Sequence, residues 1–219
     1  SRTLAREMKK HKINVICDAV AESPRISDGK VYIDLKLSPF TDNPNPKPLK
    51  IKEVVTHQVG ICVGRAPDIQ NLGLENVNVQ TDSHGWIVTD AQCRTSSENI
   101  FAIGDILGPE KIMLAHVASH EGMVAAKNAV DIPAAVSYDA VPSAIFTMPE
   151  IGTVGLSEQE ALKQGFDIRI ESVNFRNLGK AQAISSISGF GKLVIDRSTG
   201  RIIGVHLIGP NATDLLGEG

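Results

Sequence analysis

The sequence predicts an α/β chain followed by an α+β region built on an antiparallel sheet. Three observations predict this fold class. A short apolar run at 100–103 ends on Gly104–Asp105 and precedes a long alanine-rich helical stretch, which is the strand-to-helix order of an open α/β sheet. Two turn signals, Asp28–Gly29 and the segment 196–200, each join stretches rich in β-branched residues and therefore indicate antiparallel hairpins.

Length and composition limit the classes of function. The chain has 219 residues, 42% of them hydrophobic, which is enough for one or two packed domains. The formal net charge of −3 gives no electrostatic case for nucleic acid or an anionic membrane as partner. The one dense basic cluster, at 9–12, is interpreted as a solvated helix end. Since no apolar run is long enough to span a bilayer, we predict no membrane partner and a cytoplasmic location.

The cysteines predict thiols rather than disulfides or a metal site. Cys17, Cys62 and Cys93 are odd in number, widely spaced and placed in or beside apolar segments. This usage is typical of buried, reduced thiols in an intracellular protein, and it matches no zinc spacing. We therefore expect all three to be buried and no metal to be bound.

Residues 1–67 are predicted to contain a helix and an antiparallel ribbon. An amphipathic helix with no visible start precedes β-rich stretches at 13–22 and 23–37. Four prolines in 38–50 predict an exposed loop, and the apolar segment 54–64 predicts a buried strand that ends at Gly64.

The middle of the chain, 68–133, is predicted to pair a covering segment with a strand and a helix. Residues 71–90 alternate apolar pairs with turn residues and indicate a small hairpin near Ser83–Gly85. The run 100–103 predicts a buried strand. The stretch 112–130 has helical spacing of its apolar residues and predicts a long buried helix that ends before Pro133.

The remaining segment, 134–219, predicts an antiparallel sheet with helices on one side. Ser157 and Glu160 have the spacing of a capping box, and Gly165 ends the short helix that they start. The hairpin around 196–200 joins strands that are apolar on both faces. A contact with a second subunit accounts for that excess of apolar residues.

Asp105 is the main candidate for chemistry. It lies at the carboxyl end of the predicted strand, where ligands of open α/β sheets bind, and Gly104 before it allows a ligand close to the backbone. The first N–H groups of the next helix lack intrahelical partners. Two interpretations remain open from the spacing alone: Asp105 accepts hydrogen bonds from polyol hydroxyls, or it caps the following turn.

Two neighbouring segments of the sequence resemble a motif of a known protein family. "RTSSENIFAIGDI" at 94–106 and "MLAHVASHEG" at 113–122 resemble the second flavin motif of the FAD-dependent pyridine-nucleotide disulfide oxidoreductases. Within that superfamily the chain is similar to the dihydrolipoamide dehydrogenase branch more than to glutathione or mercuric reductases. The resemblance covers essentially the whole chain, with further matching motifs at 63–67, 72–79, 141–161 and 191–219.

The resemblance implies FAD and NAD as cofactors. By it, Gly104–Asp105 hold the ribityl hydroxyls of FAD, and a short alignment places Val20 at a contact with NAD. Gly64 lets the nicotinamide lie close to the backbone. The start of the helix faces the flavin ring, where its N–H groups and dipole favour negative charge on the reduced flavin. The residues of this helix start are Met113, Leu114, Ala115 and His116. The imidazole of His116 is interpreted as structural, with the flavin contact made by its backbone.

The resemblance also implies a domain division and partners. Residues 1–67 correspond to the C-terminal part of an NAD-binding domain, 68–133 to the second segment of an FAD-binding domain, and 134–219 to an interface domain truncated at its end. A homodimer through 134–219 and a 2-oxo acid dehydrogenase complex are the implied partners. His206 is assigned to the core or to the interface.

The chain departs from the family pattern at the residues that react. It contains no Gly-x-Gly-x-x-Gly loop and no Cys-x-x-x-x-Cys pair, and the family's catalytic His and Glu are expected beyond residue 219, so no catalytic residue is assigned. We expect a part of a flavoenzyme that is inactive alone. The alternative is a non-catalytic dimerisation module, and a flavin-free NAD-binding regulator is disfavoured by the missing glycine loop.

Overall fold

The computed structural model describes residues 2–41 and 44–218. The chain forms two compact units, Ser1–Gly64 and Arg65–Gly219, each with its own set of internal contacts. Within the described ranges, no helix is both long enough and apolar enough to cross a membrane.

The described residues of the first unit form one helix and a three-stranded antiparallel sheet. Helix α1 is followed by three strands in the spatial order β1-β2-β3. The predicted hairpin is confirmed, because Asp28 and Gly29 both have left-handed backbones, with φ of 49° and 70°. The element bounds are α1 Arg2–Lys10, β1 Ala19–Ser27, β2 Lys30–Leu37 and β3 Glu53–Thr56.

Two predicted strand segments of the first unit are not strands. Residues 13–17 have no regular secondary structure, and the strand predicted to reach Gly64 stops at Thr56. In the segment 57–64, Ile61 is 80% exposed and Val63 is 92% exposed. A buried strand needs a neighbour on each edge, and no described strand pairs with either segment. The prediction of three buried thiols is wrong for the same reason, since Cys17 and Cys62 are exposed and Cys93 alone is buried.

The second unit begins with a compact loop region packed on one long helix. A small core forms where the covering segment meets the turn at Gly104–Leu107. The predicted hairpin near Ser83–Gly85 is confirmed by a bridge between Thr81 and Ile87. The strand predicted at 100–103 is reduced to a single bridge from Phe101 to Arg94, and Ile103 is 40% exposed. The core members are Val79, Ile87, Ala102 and Leu107, with Leu74, Ile100 and Ile106 packed against them.

Helix α2, Ala115–Ala129, confirms the predicted long helix. One stripe of it is buried, and the other side is solvent-exposed, as Met123 at 59% exposure shows. The stripe includes two polar residues, Glu121 and Asn128, that periodicity alone would not place in a core. Its members are Val117, Glu121, Val124, Ala125 and Asn128.

The rest of the second unit is the predicted antiparallel sheet. Five strands lie in the order β4-β5-β8-β7-β6, and every neighbouring pair is antiparallel. The capping box at Ser157 and Glu160 is confirmed in both of its hydrogen bonds. Helix α5 packs against β5 and β8. The bounds are β4 Ser143–Ile145, β5 Glu150–Gly155, α3 Glu158–Lys163, β6 Ile168–Asn174, α4 Gly179–Ala183, β7 Phe190–Asp196, β8 Ile202–Gly209 and α5 Ala212–Leu215.

His206 has a structural role in this sheet. Its Nε2 lies 3.0 Å from the carbonyl oxygen of Leu156, so this nitrogen donates, and Nδ1 accepts from the hydroxyl of Thr153. The ring thus joins β8 to β5 and to the residue that follows β5.

Candidate functional site

A cleft of about 420 Å³ lies beside Asp105. This volume falls within the range of small-molecule sites. The cleft lies in the second unit and combines residues that are far apart in sequence. Its lining residues are Arg65, Ala66, Asp68, Trp86, Asp105 and Ile106.

Asp105 forms an ion pair with Arg65 at this cleft. The Arg65 guanidinium donates to Oδ2 of Asp105, and the two side chains are 66% and 39% exposed, respectively. Among the described residues, no donor bonds to Oδ1, and no backbone N–H of the following turn bonds to the carboxylate. Asp105 therefore does not cap its turn, and Oδ1 can still accept a hydrogen bond from a ligand.

The turn that carries Asp105 is held against helix α2. Gly104 has a φ of 77°, and its N–H donates to Oε2 of Glu121 at 2.6 Å. A Cβ at Gly104 would lie 3.2 Å from the Cβ of Ala118. Glycine is therefore required here both for its backbone and for its close approach to the helix.

The start of α2 has the features of an anion-favouring helix end. Leu114 is the N-cap residue with extended backbone, and the first turn holds no acidic residue. Within the part of the chain that the structure describes, no side chain caps this turn or accepts from its N–H groups, and the helix dipole favours negative charge there. Met113 and Leu114 are half-buried, whereas Ala115 and His116 are exposed.

The structure brings the predicted flavin residues together only in part. Gly104 lies against the first turn of α2, as the sequence predicts for a strand end and helix start that share a ligand. The carboxylate of Asp105, however, faces Arg65, and none of the residues 113–116 lines its cleft.

The imidazole of His116 has a separate contact. Its Nε2 lies 2.9 Å from the carbonyl oxygen of Pro142, in the segment that leads into β4. This bond fits the interpretation of the ring as structural, and the backbone of His116 stays at the start of α2.

The residues predicted to contact NAD lie in the first unit. Val20 is half-buried in β1, opposite Lys36 of β2. Gly64 is exposed, with a φ of 125°, and a Cβ there would meet nothing within 4 Å. The backbone conformation of Gly64 favours glycine, as a close approach of a ligand to the backbone requires.

Glu121 is the main site residue that the sequence did not predict. Its side chain is fully buried, with Oε2 accepting from the Gly104 N–H and Oε1 accepting from the Tyr138 hydroxyl at 2.7 Å. Burial, and then the hydrogen bond to Glu121, raises the pKa of Tyr138 well above its ordinary value. Glutamate at a buried helix position has no periodic signal, because its polarity places it on the predicted solvent face.

Two other residues that line the cleft, Arg65 and Trp86, are only weakly indicated by the sequence. Arg65 belongs to the "VGRAP" motif, but its bond to Asp105 joins residues 40 positions apart. Trp86 is the single tryptophan, 8% exposed, and it packs over Gly108 while it lines the cleft. Across the described ranges, no group of three His, Cys, Asp or Glu residues is arranged to hold a metal ion.

Comparison with known families defines the class of this chain. Residues 1–122 match the family model described as pyridine nucleotide-disulphide oxidoreductase, and residues 141–219 match the model of its dimerisation domain. The chain therefore belongs to the pyridine nucleotide-disulphide oxidoreductases.

Individual relatives narrow this class. The chain is 38% identical over 216 residues to dihydrolipoyl dehydrogenase of Geobacillus stearothermophilus, covering 98% of this chain and 43% of that protein. It is 44% identical over 167 residues to dihydrolipoyl dehydrogenase of Halobacterium salinarum, covering 76% of this chain and 35% of that protein. The chain thus spans less than half the length of these curated relatives.

Solved structures agree with the fold. The crystal structure of LpdA from Mycobacterium tuberculosis matches 99% of this chain and 44% of that chain, with a TM-score of 0.84 and 25% identity. The HOCl-induced flavoprotein disulfide reductase RclA from Escherichia coli has a TM-score of 0.82 at 20% identity, covering 99% of this chain and 47% of that one. The RclA match shows likeness of fold.

Proposed function

We propose that this chain is part of an FAD-dependent, dihydrolipoyl dehydrogenase-like oxidoreductase. Such an enzyme moves electrons from a dithiol through a redox disulfide and FAD to NAD. The observation that carries the proposal is the Gly104–Asp105 turn held against the first turn of α2, in a chain 38% identical to a dihydrolipoyl dehydrogenase.

The residues present fit a flavin. Oδ1 of Asp105 is an acceptor without a protein donor among the described residues, which suits a ribityl hydroxyl. The first turn of α2 offers N–H donors and a positive dipole end, which suit an electron-rich ring edge. When bound, FAD supplies the redox chemistry, accepting an electron pair from the dithiol and passing hydride to NAD.

The chain's own residues bind and orient in this proposal. Asp105 accepts from the flavin side chain, the backbone of 113–116 faces its ring, and Gly104 lets the turn that carries Asp105 lie close to α2. Gly64 and Val20 are proposed to contact NAD. None of these residues moves a proton or forms a bond in the reaction, so their effect on the rate comes from positioning and electrostatics.

The proposal extends to organisation and partners. We assign 1–67 to an NAD-binding part, 68–133 to an FAD-binding part, and 134–219 to an interface part that pairs two subunits. A 2-oxo acid dehydrogenase complex and a cytoplasmic location belong to the same proposal. Because the sequence has neither a Gly-x-Gly-x-x-Gly loop nor a Cys-x-x-x-x-Cys pair, the 219-residue chain is expected to lack dithiol dehydrogenase activity alone.

A chimera tests the proposal. The 216-residue matching region of the Geobacillus stearothermophilus relative is replaced by this chain, and flavin content and lipoamide-dependent NAD reduction are measured. We expect bound FAD and turnover in the chimera and no turnover in the isolated chain. A folded chimera without flavin, or turnover by the isolated chain, would contradict the proposal.

The alternative function is that of a dimerisation module without catalytic activity. Phe146 and Met148, next to β4 at the edge of the sheet, are 81% and 77% exposed, which favours a covering partner. Mixing the chain with the full-length relative tests this function. Stable heterodimers together with a flavin-free chimera would favour the module over the oxidoreductase.

A further inference from the structure

We propose that Glu121 is a positioning residue for the flavin-binding turn, and that Tyr138 holds Glu121 in place from the segment that leads into the sheet. The relay runs from the Tyr138 hydroxyl to the Glu121 carboxylate and on to the Gly104 N–H. Its role toward a flavin rests on the proposed function, whereas the relay itself does not.

The burial of Glu121 requires these partners. Its side chain is 0% exposed and is the largest fully buried side chain of the described residues. A carboxylate at such a depth is strongly destabilising unless donors replace the lost water. One donor reaches each oxygen, at 2.6 Å from the Gly104 nitrogen and at 2.7 Å from the Tyr138 oxygen. Loss of either donor leaves part of the carboxylate unsatisfied.

The bond to Gly104 fixes where Asp105 lies. The Gly104 N–H belongs to the Ile103–Gly104 peptide, one residue before Asp105, and Gly104 adopts a left-handed φ of 77° at the first position of the turn. The bond and the 3.2 Å approach to Ala118 both tie this peptide to α2. Glu121 therefore sets the distance between the carboxylate of Asp105 and the start of the helix.

The bond to Tyr138 brings in the connecting segment 130–142. Among the described residues, three side chains of α2 hydrogen-bond to this segment, and Glu121 is the one that also bonds to the Asp105 turn. His116 bonds to the Pro142 carbonyl at 2.9 Å, and Asn128 bonds to the Ala134 carbonyl at 2.8 Å. The ammonium of Lys111 also lies 5.2 Å from the centre of the Tyr138 ring.

Hydrogen exchange of the Gly104 amide tests the relay in the 219-residue chain. In Glu121→Ala we expect exchange to accelerate by about tenfold or more, because a buried bond to a charged acceptor is lost. Glu121→Gln keeps an acceptor oxygen for Gly104 and a donor for Tyr138, so we expect protection close to the parent. Tyr138→Phe removes only the distal donor, and we expect a few-fold acceleration.

The matched control is Tyr32→Phe, which changes the other tyrosine of the chain, in β2 of the first unit. It should leave Gly104 exchange unchanged. In Tyr32→Phe, Tyr138 is the remaining tyrosine of the chain, so ultraviolet absorbance follows its ionisation alone. Adding Glu121→Gln should lower the pKa of Tyr138 toward that of an ordinary phenol. Unchanged Gly104 exchange in Tyr138→Phe would overturn the relay, and it does so even if Glu121→Ala fails to fold.

Flavin affinity of the chimera separates this inference from the proposed function. We expect Tyr138→Phe to weaken FAD binding a few-fold, and Glu121→Gln to restore what Glu121→Ala loses. Normal FAD affinity in Tyr138→Phe, in a chimera that Asp105→Asn weakens, would overturn the positioning role alone. No effect of Asp105→Asn would instead overturn the proposed flavin site, while Gly104 exchange would still decide the relay.

Discussion

Arg65 and Asp105 form an ion pair that uses one carboxylate oxygen of Asp105 and leaves the other without a protein donor among the described residues. Both side chains are partly exposed, at 66% and 39%. Solvent-exposed pairs contribute about 0–1 kcal/mol to the free energy of unfolding. The pair therefore orients the carboxylate at the cleft more than it stabilises the fold.

Asp105→Asn is expected to weaken FAD binding to the chimera by about tenfold or more, because hydrogen bonds to a charged acceptor are stronger than those to an amide. Flavin fluorescence titration measures this change. Arg65→Gln should change the free energy of unfolding by only about 0–1 kcal/mol in a urea titration. The matched control is Asp68→Asn, an exposed carboxylate on the same cleft. An equal loss of affinity in Asp68→Asn would contradict a specific role for Asp105.

Asn128 is expected to be a stability determinant of the second unit. Its amide nitrogen donates to the carbonyls of Val124 and Ala134, at 3.0 and 2.8 Å, and the side chain is buried. Asn128→Asp keeps the shape but places a carboxyl oxygen against these carbonyls. We expect a loss of roughly 2–4 kcal/mol in the free energy of unfolding.

Urea unfolding followed by circular dichroism checks the role of Asn128. The exposed neighbour Lys127 gives the control Lys127→Ala, which should stay within about 0.5 kcal/mol of the parent. If Asn128→Asp unfolds at the same urea concentration as Lys127→Ala, the hydrogen bonds of Asn128 do not stabilise the unit.

The three cysteines are expected to react at very different rates. Cys17 and Cys62 are exposed, whereas Cys93 is 1% exposed and its thiol donates to the Glu121 carbonyl. Burial, and then the negative charges of Glu121 and Asp90, raises the pKa of Cys93 to about 11. Alkylation by iodoacetamide, followed by mass spectrometry, should label two thiols rapidly in the folded chain and the third only in urea. Labelling of Cys93 at the rate of Cys62 would contradict this assignment.

The raised pKa of Cys93 also predicts a pH dependence. The neutral thiol is favoured in the folded state, so its contribution to stability is complete below the ordinary pKa of 9.0 and is lost as pH rises toward about 11. Urea midpoints should fall over this interval. Cys93→Ala should show a shallower fall, and a parallel curve would contradict the contribution of Cys93.

Gly204 is expected to tolerate no side chain. A Cβ at Gly204 would overlap the carbonyl oxygen of Leu156 and lie 3.2 Å from Nε2 of His206. Gly204→Ala should therefore reduce the free energy of unfolding by about 1–3 kcal/mol through overpacking. The control Gly179→Ala, in α4 with nothing within 4 Å of its Cβ, should be neutral or raise it by up to about 1 kcal/mol. Equal urea midpoints for the two variants would contradict this packing.

Much of the local structure could be predicted from the sequence. The Asp28–Gly29 hairpin, the capping box at Ser157 and helix α2 each depend on chemistry within a few residues. The sheet of 134–219 was also predicted as antiparallel, because its hairpin turn and its apolar strands are visible in sequence. The flavin assignments of Asp105 and of 113–116 remain predictions.

Two predictions of buried strands are wrong because the pairing of strands depends on residues that are distant in sequence. The apolar runs at 57–64 and 100–103 have the composition of buried strands, but a strand forms only beside a partner. No described strand pairs with them beyond the single bridge at Phe101, so Val63 is 92% exposed.

The sequence by itself determined the turns, the helix caps, the family and the candidate flavin motif, since each depends on residues that are close along the chain. Only the tertiary structure decided that Asp105 pairs with Arg65, 40 positions away, and that Glu121 is buried between Gly104 and Tyr138, 17 positions from each. Hydrogen bonds between distant residues depend on how the segments pack. A polar side chain in a core is stabilised by partners that no local pattern identifies.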